Sequence, residues 1–142
     1  MKVKFIQTNP NAKLPFKASK DAACSDLYSV ENIDIHYGET KIVDTGLQVA
    51  YIPEGYVLEL VDRSGFRARG IFGGSLGKID ADYRGPLKVI VFNSSQKRLE
   101  IKVGDRIAQC SLEKVLPVSY EFVETFVDTE RSSGGFGSTG LK

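Results

Sequence analysis

Asp80 and Asp82 stand two residues apart in Gly77-Lys78-Ile79-Asp80-Ala81-Asp82-Tyr83-Arg84-Gly85. Side chains two apart share a face of an extended segment. The pair could therefore act as general acid and base, or face a metal ion. The plainer account is that one carboxylate holds the turn at Arg84-Gly85 and the other meets solvent. Upstream, Arg63-Ser64-Gly65 follows an apolar run. An arginine, a hydroxyl and a glycine at a helix start offer a cation and outward amides to an anion, or else form a capped turn with a surface arginine. Gly104-Asp105-Arg106-Ile107-Ala108-Gln109 reads as a turn feeding a strand. Asp105 and Arg106 could pair across that turn, and Gln109 either donates to phosphate or faces water.

The tail from Arg131 to Lys142 carries a fourth set of groups. Gly135, Gly137 and Gly140 fit G-x-G-x-x-G, but that fingerprint needs a strand before it and a helix and second strand after it. Leu141 and Lys142 follow instead. The tail reads as a flexible arm from residue 131, set apart from a domain over residues 1–130. Arg131 suits phosphate and Phe136 offers a flat face to a base. Gly137, Ser138 and Thr139 can donate to anionic oxygens. A solubilising tail is the competing account.

Composition narrows the field. The chain has 142 residues and a formal net charge of +1, so no bulk field draws nucleic acid or anionic membrane. One histidine, His36, and two cysteines, Cys24 and Cys110, are too few for a structural zinc. No apolar run has the length of a signal peptide or a membrane span, which sets the expectation of a cytoplasmic or nuclear protein with reduced thiols.

The elements that must position these groups read as β almost throughout. Val3 and Phe5, Ile33 and Ile35, Leu47 to Tyr51, Val57 to Val61, Leu87 to Phe92 and Leu99 to Val103 alternate or are rich in β-branched residues. Turn signals at Gly38, Pro53-Glu54-Gly55, Gly85-Pro86, Asn93-Ser94 and Gly104 separate them. Short strands at this spacing predict a sandwich or barrel. One short helix is predicted just after Ser64, with Ser64 as its cap.

Singly these signals are weak, but their order is specific. Ala23-Cys24-Ser25-Asp26-Leu27, Arg63-Ser64-Gly65, Gly77 to Gly85, Gly104 to Gln109 and the Arg131–Gly140 tail resemble, in family order, the five motifs of the trimeric deoxyuridine triphosphatases (dUTPases). The resemblance implies an all-β, jelly-roll-like subunit and a homotrimer with shared active sites. It implies magnesium-dependent hydrolysis of dUTP to dUMP and pyrophosphate, which keeps uracil out of DNA and supplies dUMP for thymidylate synthesis. Asp80 would activate the attacking water. Tyr83 would pack on the deoxyribose. Backbone from Ser75 to Ile79, including Gly77 and Ile79, would read uracil. Arg63, Ser64, Gly65 and Gln109 would hold phosphates, and Asp26 would reach Mg2+ through water. Phe136 would stack on uracil, with Arg131, Gly137, Ser138 and Thr139 at the terminal phosphate.

Four residues depart from the family pattern. Cys24 stands where Gly is usual, Asp62 where Pro is common, Phe66 where Leu is usual, and Ser132 where Gly is common. Asp62 is expected to cost anion affinity unless it pairs with Arg67 or Arg69. Two alternatives remain: a deoxycytidine triphosphate deaminase of the same fold, and a non-enzymatic trimer whose nucleotide-gated arm binds a protein partner. An intact Asp80-Ala81-Asp82-Tyr83 favours the hydrolase.

Overall fold

The computed structural model describes residues 1–74, 77–130 and 132–133. The described strands are β1 (Lys4–Gln7), β2 (Ser25–Tyr28), β3 (Ile33–Ile35), β4 (Thr40–Tyr51), β5 (Tyr56–Val61), β6 (Ile71–Gly73), β7 (Gly77–Ile79), β8 (Pro86–Asn93), β9 (Leu99–Ile101) and β10 (Arg106–Lys114). A single helical turn, α1 (Ser64–Arg67), joins β5 to β6. One four-stranded sheet runs β1-β4-β8-β6, a second runs β2-β10-β5-β7, and β3 pairs with β9. The strand pairs are antiparallel, and the architecture is the expected all-β, jelly-roll-like sandwich.

Alternation sets the core. In β8, Leu87, Val89, Val91 and Asn93 point inward and Lys88, Ile90 and Phe92 point outward, as a period of two requires. The inward residues meet Val43, Leu47 and Val49 of β4, Leu58 and Leu60 of β5, and Ile107, Ala108 and Cys110 of β10. Buried polar groups are paired: Thr45 Oγ1 donates to the Leu87 carbonyl at 2.5 Å, and Asn93 Nδ2 donates to the carbonyls of Ile35 and Lys97.

β4 is longer than its sequence pattern suggests. Gly46 adopts φ +65° and the β4–β8 register shifts between Asp44 and Leu47, the signature of a bulge. A Cβ there would press on Asn9, Ala12 and Val30.

Two apolar surfaces lie outside this core. Ile42 and Ile90 face each other across β4 and β8 yet are 62% and 60% exposed. After β10, residues 115–130 contain no strand and are exposed along their length, Tyr120, Phe122 and Phe126 included. Among the described residues no helix is long and apolar enough to cross a membrane.

Candidate active site

Three segments distant in sequence converge on Asp26. β2 pairs with β10 so that Asp26 stands opposite Gln109, and β10 pairs with β5 so that Gln109 stands opposite Val61. The chain leaving β5 therefore delivers Arg63 to the same place. Asp26 is 5% exposed. Its Oδ1 lies 3.3 Å from Arg63 Nε and 3.4 Å from Gln109 Nε2. Its Oδ2 accepts from Arg106 Nη1 at 3.3 Å. Arg63 Nη1 also donates to the Arg106 carbonyl at 3.1 Å. A nearly buried carboxylate needs such partners, and here they leave two guanidinium groups and an amide clustered at one end of β5.

Beside this cluster Ser64 and Gly65 are exposed, and a Cβ on Gly65 would meet open space. α1 does not start as predicted. Arg63 is its N-cap residue and makes no side-chain cap bond, while Ser64 is already helical. The Ser64 hydroxyl is thus not used in capping, and a single turn adds little dipole. Asp105 and Arg106 do not pair across their turn. Asp105 Oδ2 accepts the Lys102 amide at 2.8 Å, which frees Arg106 for Asp26.

The second group of candidates sits at the end of β7. Tyr83 N–H donates to the Asp80 carbonyl at 3.1 Å, so Asp80 to Tyr83 form a β-turn and not the extended segment that would align the two carboxylates. Asp80 and Asp82 are both exposed, and among the described residues neither carboxylate is hydrogen-bonded or ion-paired. The turn is held by Arg84, whose Nη1 donates to the carbonyls of Ala81 and Tyr83 at 2.8 and 2.7 Å. Tyr83 is fixed by its hydroxyl on the Pro86 carbonyl at 3.1 Å. Gly85 gives the ring its space, because a Cβ there would collide with the phenol.

The two groups are not adjacent within one chain. β7 runs antiparallel to β5 with Gly77 opposite Leu60 and Ile79 opposite Leu58. Asp80 therefore lies at the Val57 end of β5 and Arg63 beyond the other end, about 20 Å of strand away.

The dUTPase family pattern matches residues 10–140. The chain belongs to the dUTPase family. The deoxyuridine 5'-triphosphate nucleotidohydrolase of Yarrowia lipolytica is 41% identical over 99% of this chain and 89% of its own. That of Nautilia profundicola is 42% identical over 99% of both. Among solved structures, the dUTPase of Staphylococcus bacteriophage 80alpha with dUPNHPP superposes with a TM-score of 0.89 at 27% identity, covering 99% of each chain. A point mutant of the dUTPase from phage phi11 of S. aureus, described with a structural Mg(II) ion, gives 0.80 at 25% identity over 89% of this chain and 99% of that one.

As a dUTPase the chain is a nucleotide pyrophosphohydrolase acting on dUTP. Of the residues named for that role from sequence, Asp26, Arg63, Ser64, Gly65 and Gln109 come together at one end of β5. Gly77, Ile79, Asp80 and Tyr83 line the strand and turn that lead to the other. Ser75, Arg131, Phe136, Gly137, Ser138 and Thr139 lie outside the described residues. Sequence reasoning misses Arg106 as a member of the cluster. Its partner, Asp26, lies in a strand too short to announce itself, and the register that joins them exists only in the folded chain.

Proposed function

We propose that this dUTPase hydrolyses dUTP at sites shared between copies of the chain, with Asp80 as general base. The observation that carries the reading is the exposed Asp80 carboxylate, unpartnered among the described residues, beside a Tyr83 ring fixed on both sides. A water held by Asp80 gives up its proton to the carboxylate as its oxygen attacks the α-phosphorus, and pyrophosphate leaves in line. Such a reaction depends on positioning and charge neutralisation more than on covalent chemistry. Arg63, Gln109, and the Ser64 hydroxyl with the Ser64 and Gly65 amides supply donors to the phosphates. Backbone at Gly77 and Ile79 reads uracil, and Tyr83 closes the space beside C2′. Residues 131–142 form an arm over the nucleotide, with Phe136 on the base and Arg131, Gly137, Ser138 and Thr139 at the terminal phosphate.

Mg2+ fits this chain as an outer ligand set. A carboxylate offers about four lone-pair sites; on Asp26 the Gln109 amide and the Arg106 guanidinium each hydrogen-bond one oxygen, and Arg63 Nε lies 3.3 Å from Oδ1. With both oxygens engaged, Asp26 suits a metal-bound water better than direct bidentate ligation. Among the described residues no cluster of three acidic, His or Cys side chains could hold a metal alone, so phosphate oxygens and water would supply most of its ligands. When bound, Mg2+ neutralises phosphate charge.

The separation of Asp80 from Arg63 supports sites shared between copies, since a triphosphate spans much less than the distance between them, and the family resemblance makes that assembly a homotrimer. The exposed Ile42–Ile90 face and the apolar residues 115–130 supply surface for such contacts. Light scattering at micromolar concentration is expected to give three times the mass of one chain. A fully active monomer is the opposing result. A cytoplasmic or nuclear setting suits the free thiols of Cys24 and Cys110.

Pyrophosphate release tests the reading. Turnover of dUTP is expected to exceed that of UTP and dTTP by about 100-fold or more in kcat/KM, because a closed pocket rejects an added hydroxyl or methyl by steric exclusion. Comparable rates with UTP would remove Tyr83 from its assigned role, and ammonia release from dCTP would favour the deaminase.

A further inference from the structure

Asp62 looks like a liability in the sequence, a carboxylate beside the arginine assigned to phosphate. The fold turns it inward. Its side chain is 5% exposed, and Oδ2 lies 3.8 Å from Arg67 Nε. Oδ1 accepts the Gly73 backbone N–H at 2.7 Å. β5 and β6 belong to different sheets, so this bond ties the two sheets together at the point where the chain departs for Ser64-Gly65. Gly73 is fixed in turn, because β6 pairs it with Val91 and a Cβ on it would run into the Ile107 carbonyl.

Arg63 anchors the same turn from the other side. It reaches Asp26 and the Arg106 carbonyl, while its guanidinium also lies 6.0 Å from the centre of the Phe66 ring. Arg69 covers that ring at 5.2 Å and donates from Nε to the Gly65 carbonyl at 3.1 Å. Ser64 and Gly65 are thus held between an anchored Asp62-Arg63 pair and a buried Phe66. Proline, common in the family at this position, restricts the backbone by its ring but cannot accept a hydrogen bond from Gly73 through its side chain.

We infer that Asp62 is a positioning residue for triphosphate binding: its bond to Gly73 and its pair with Arg67 hold the Arg63-Ser64-Gly65 turn in place. The inference rests on assigning that turn to the phosphates. Arg67 then serves as the partner of Asp62 and does not compensate for it at the ligand. The Gly73–carboxylate bond is charge-assisted, and such hydrogen bonds are the stronger ones, so its loss should be readable in affinity.

The test uses the full chain with Asp62→Ala, Asp62→Asn and Arg63→Gln. The probes are the analogue dUpNHpp, used with the phage enzyme, and dUMP, which lacks the two outer phosphates. Asp62→Ala is expected to weaken dUpNHpp about tenfold, to leave dUMP within about twofold, and to speed hydrogen exchange of the Gly73 amide. Asp62→Asn keeps an acceptor for Gly73 and should recover most of the affinity and the amide protection. Asp62→Ser, too short to reach Gly73, replaces the alanine variant if that variant does not fold. Wild-type dUpNHpp affinity in Asp62→Ala overturns the inference. So does an equal loss for dUMP, or an asparagine variant as weak as the alanine one. Arg63→Gln separates the two levels: if it leaves dUpNHpp affinity intact, the phosphate assignment itself fails.

Discussion

Asp80→Asn is expected to lower kcat for dUTP by about 10²- to 10⁴-fold, the range for removing a general base. Affinity for dUpNHpp should survive, because the groups assigned to base and phosphates are elsewhere. The fold should survive as well. Asp80 is exposed at the first corner of its turn, and its contribution to the turn comes from its carbonyl, which accepts the Tyr83 amide, not from its carboxylate. Asparagine has nearly the same shape but accepts no proton at neutral pH. Asp82→Asn should cost less, although Asp82 does not hold the turn as the sequence suggests. Arg84 does that. Single-turnover kinetics on both variants decide the matter, and a larger defect in Asp82→Asn would reverse the assignment within the pair.

Truncation after Glu130 is the second large effect. Base stacking on an aromatic contributes about 1–3 kcal/mol, and a hydrogen bond to a charged group about 1.5–3 kcal/mol. Loss of Phe136 and Arg131 together should therefore reduce kcat/KM by about 10²- to 10⁴-fold. Melting temperature should change little, since the core cluster ends with Leu112 of β10. Phe136→Ala should show a smaller version of the same loss. A truncated chain that melts early would mean that the tail supports the fold, and its role in closing over nucleotide would have to be given up.

Residue type makes some of this legible and hides the rest for definite reasons. β8 is a β-branched apolar run and β9 alternates strictly, and both are read directly from the sequence. The second half of β4 is visible, but Gly46 breaks the pattern, so Thr40 to Thr45 do not read as the same strand. β6 and β7 have three residues each and contain glycine. They exist because neighbours in space pair with them, not because of local preference. In the candidate site, the motifs point to Arg63 and Gln109. The Arg106–Asp26 contact joins residues 80 apart in sequence, and the role of Asp62 depends on an amide in the opposite sheet. For the apolar residues between Val115 and Val127, hydrophobicity says that they must be covered, but not by which chain. Within one subunit they remain exposed.

Cys110 sits in the strand that joins β2 to β5, and burial, helped by the nearby Cys24 and Asp26, pushes its thiol up to about 12. Only a thiolate alkylates readily, so this sulfur is shielded twice, by access and by ionisation. That makes it an internal clock for breathing of the central sheet. Its labelling, separated by mass from that of Cys24, reports how often β10 opens. A nucleotide that steadies Gln109, the adjacent residue, should slow that clock from one position away.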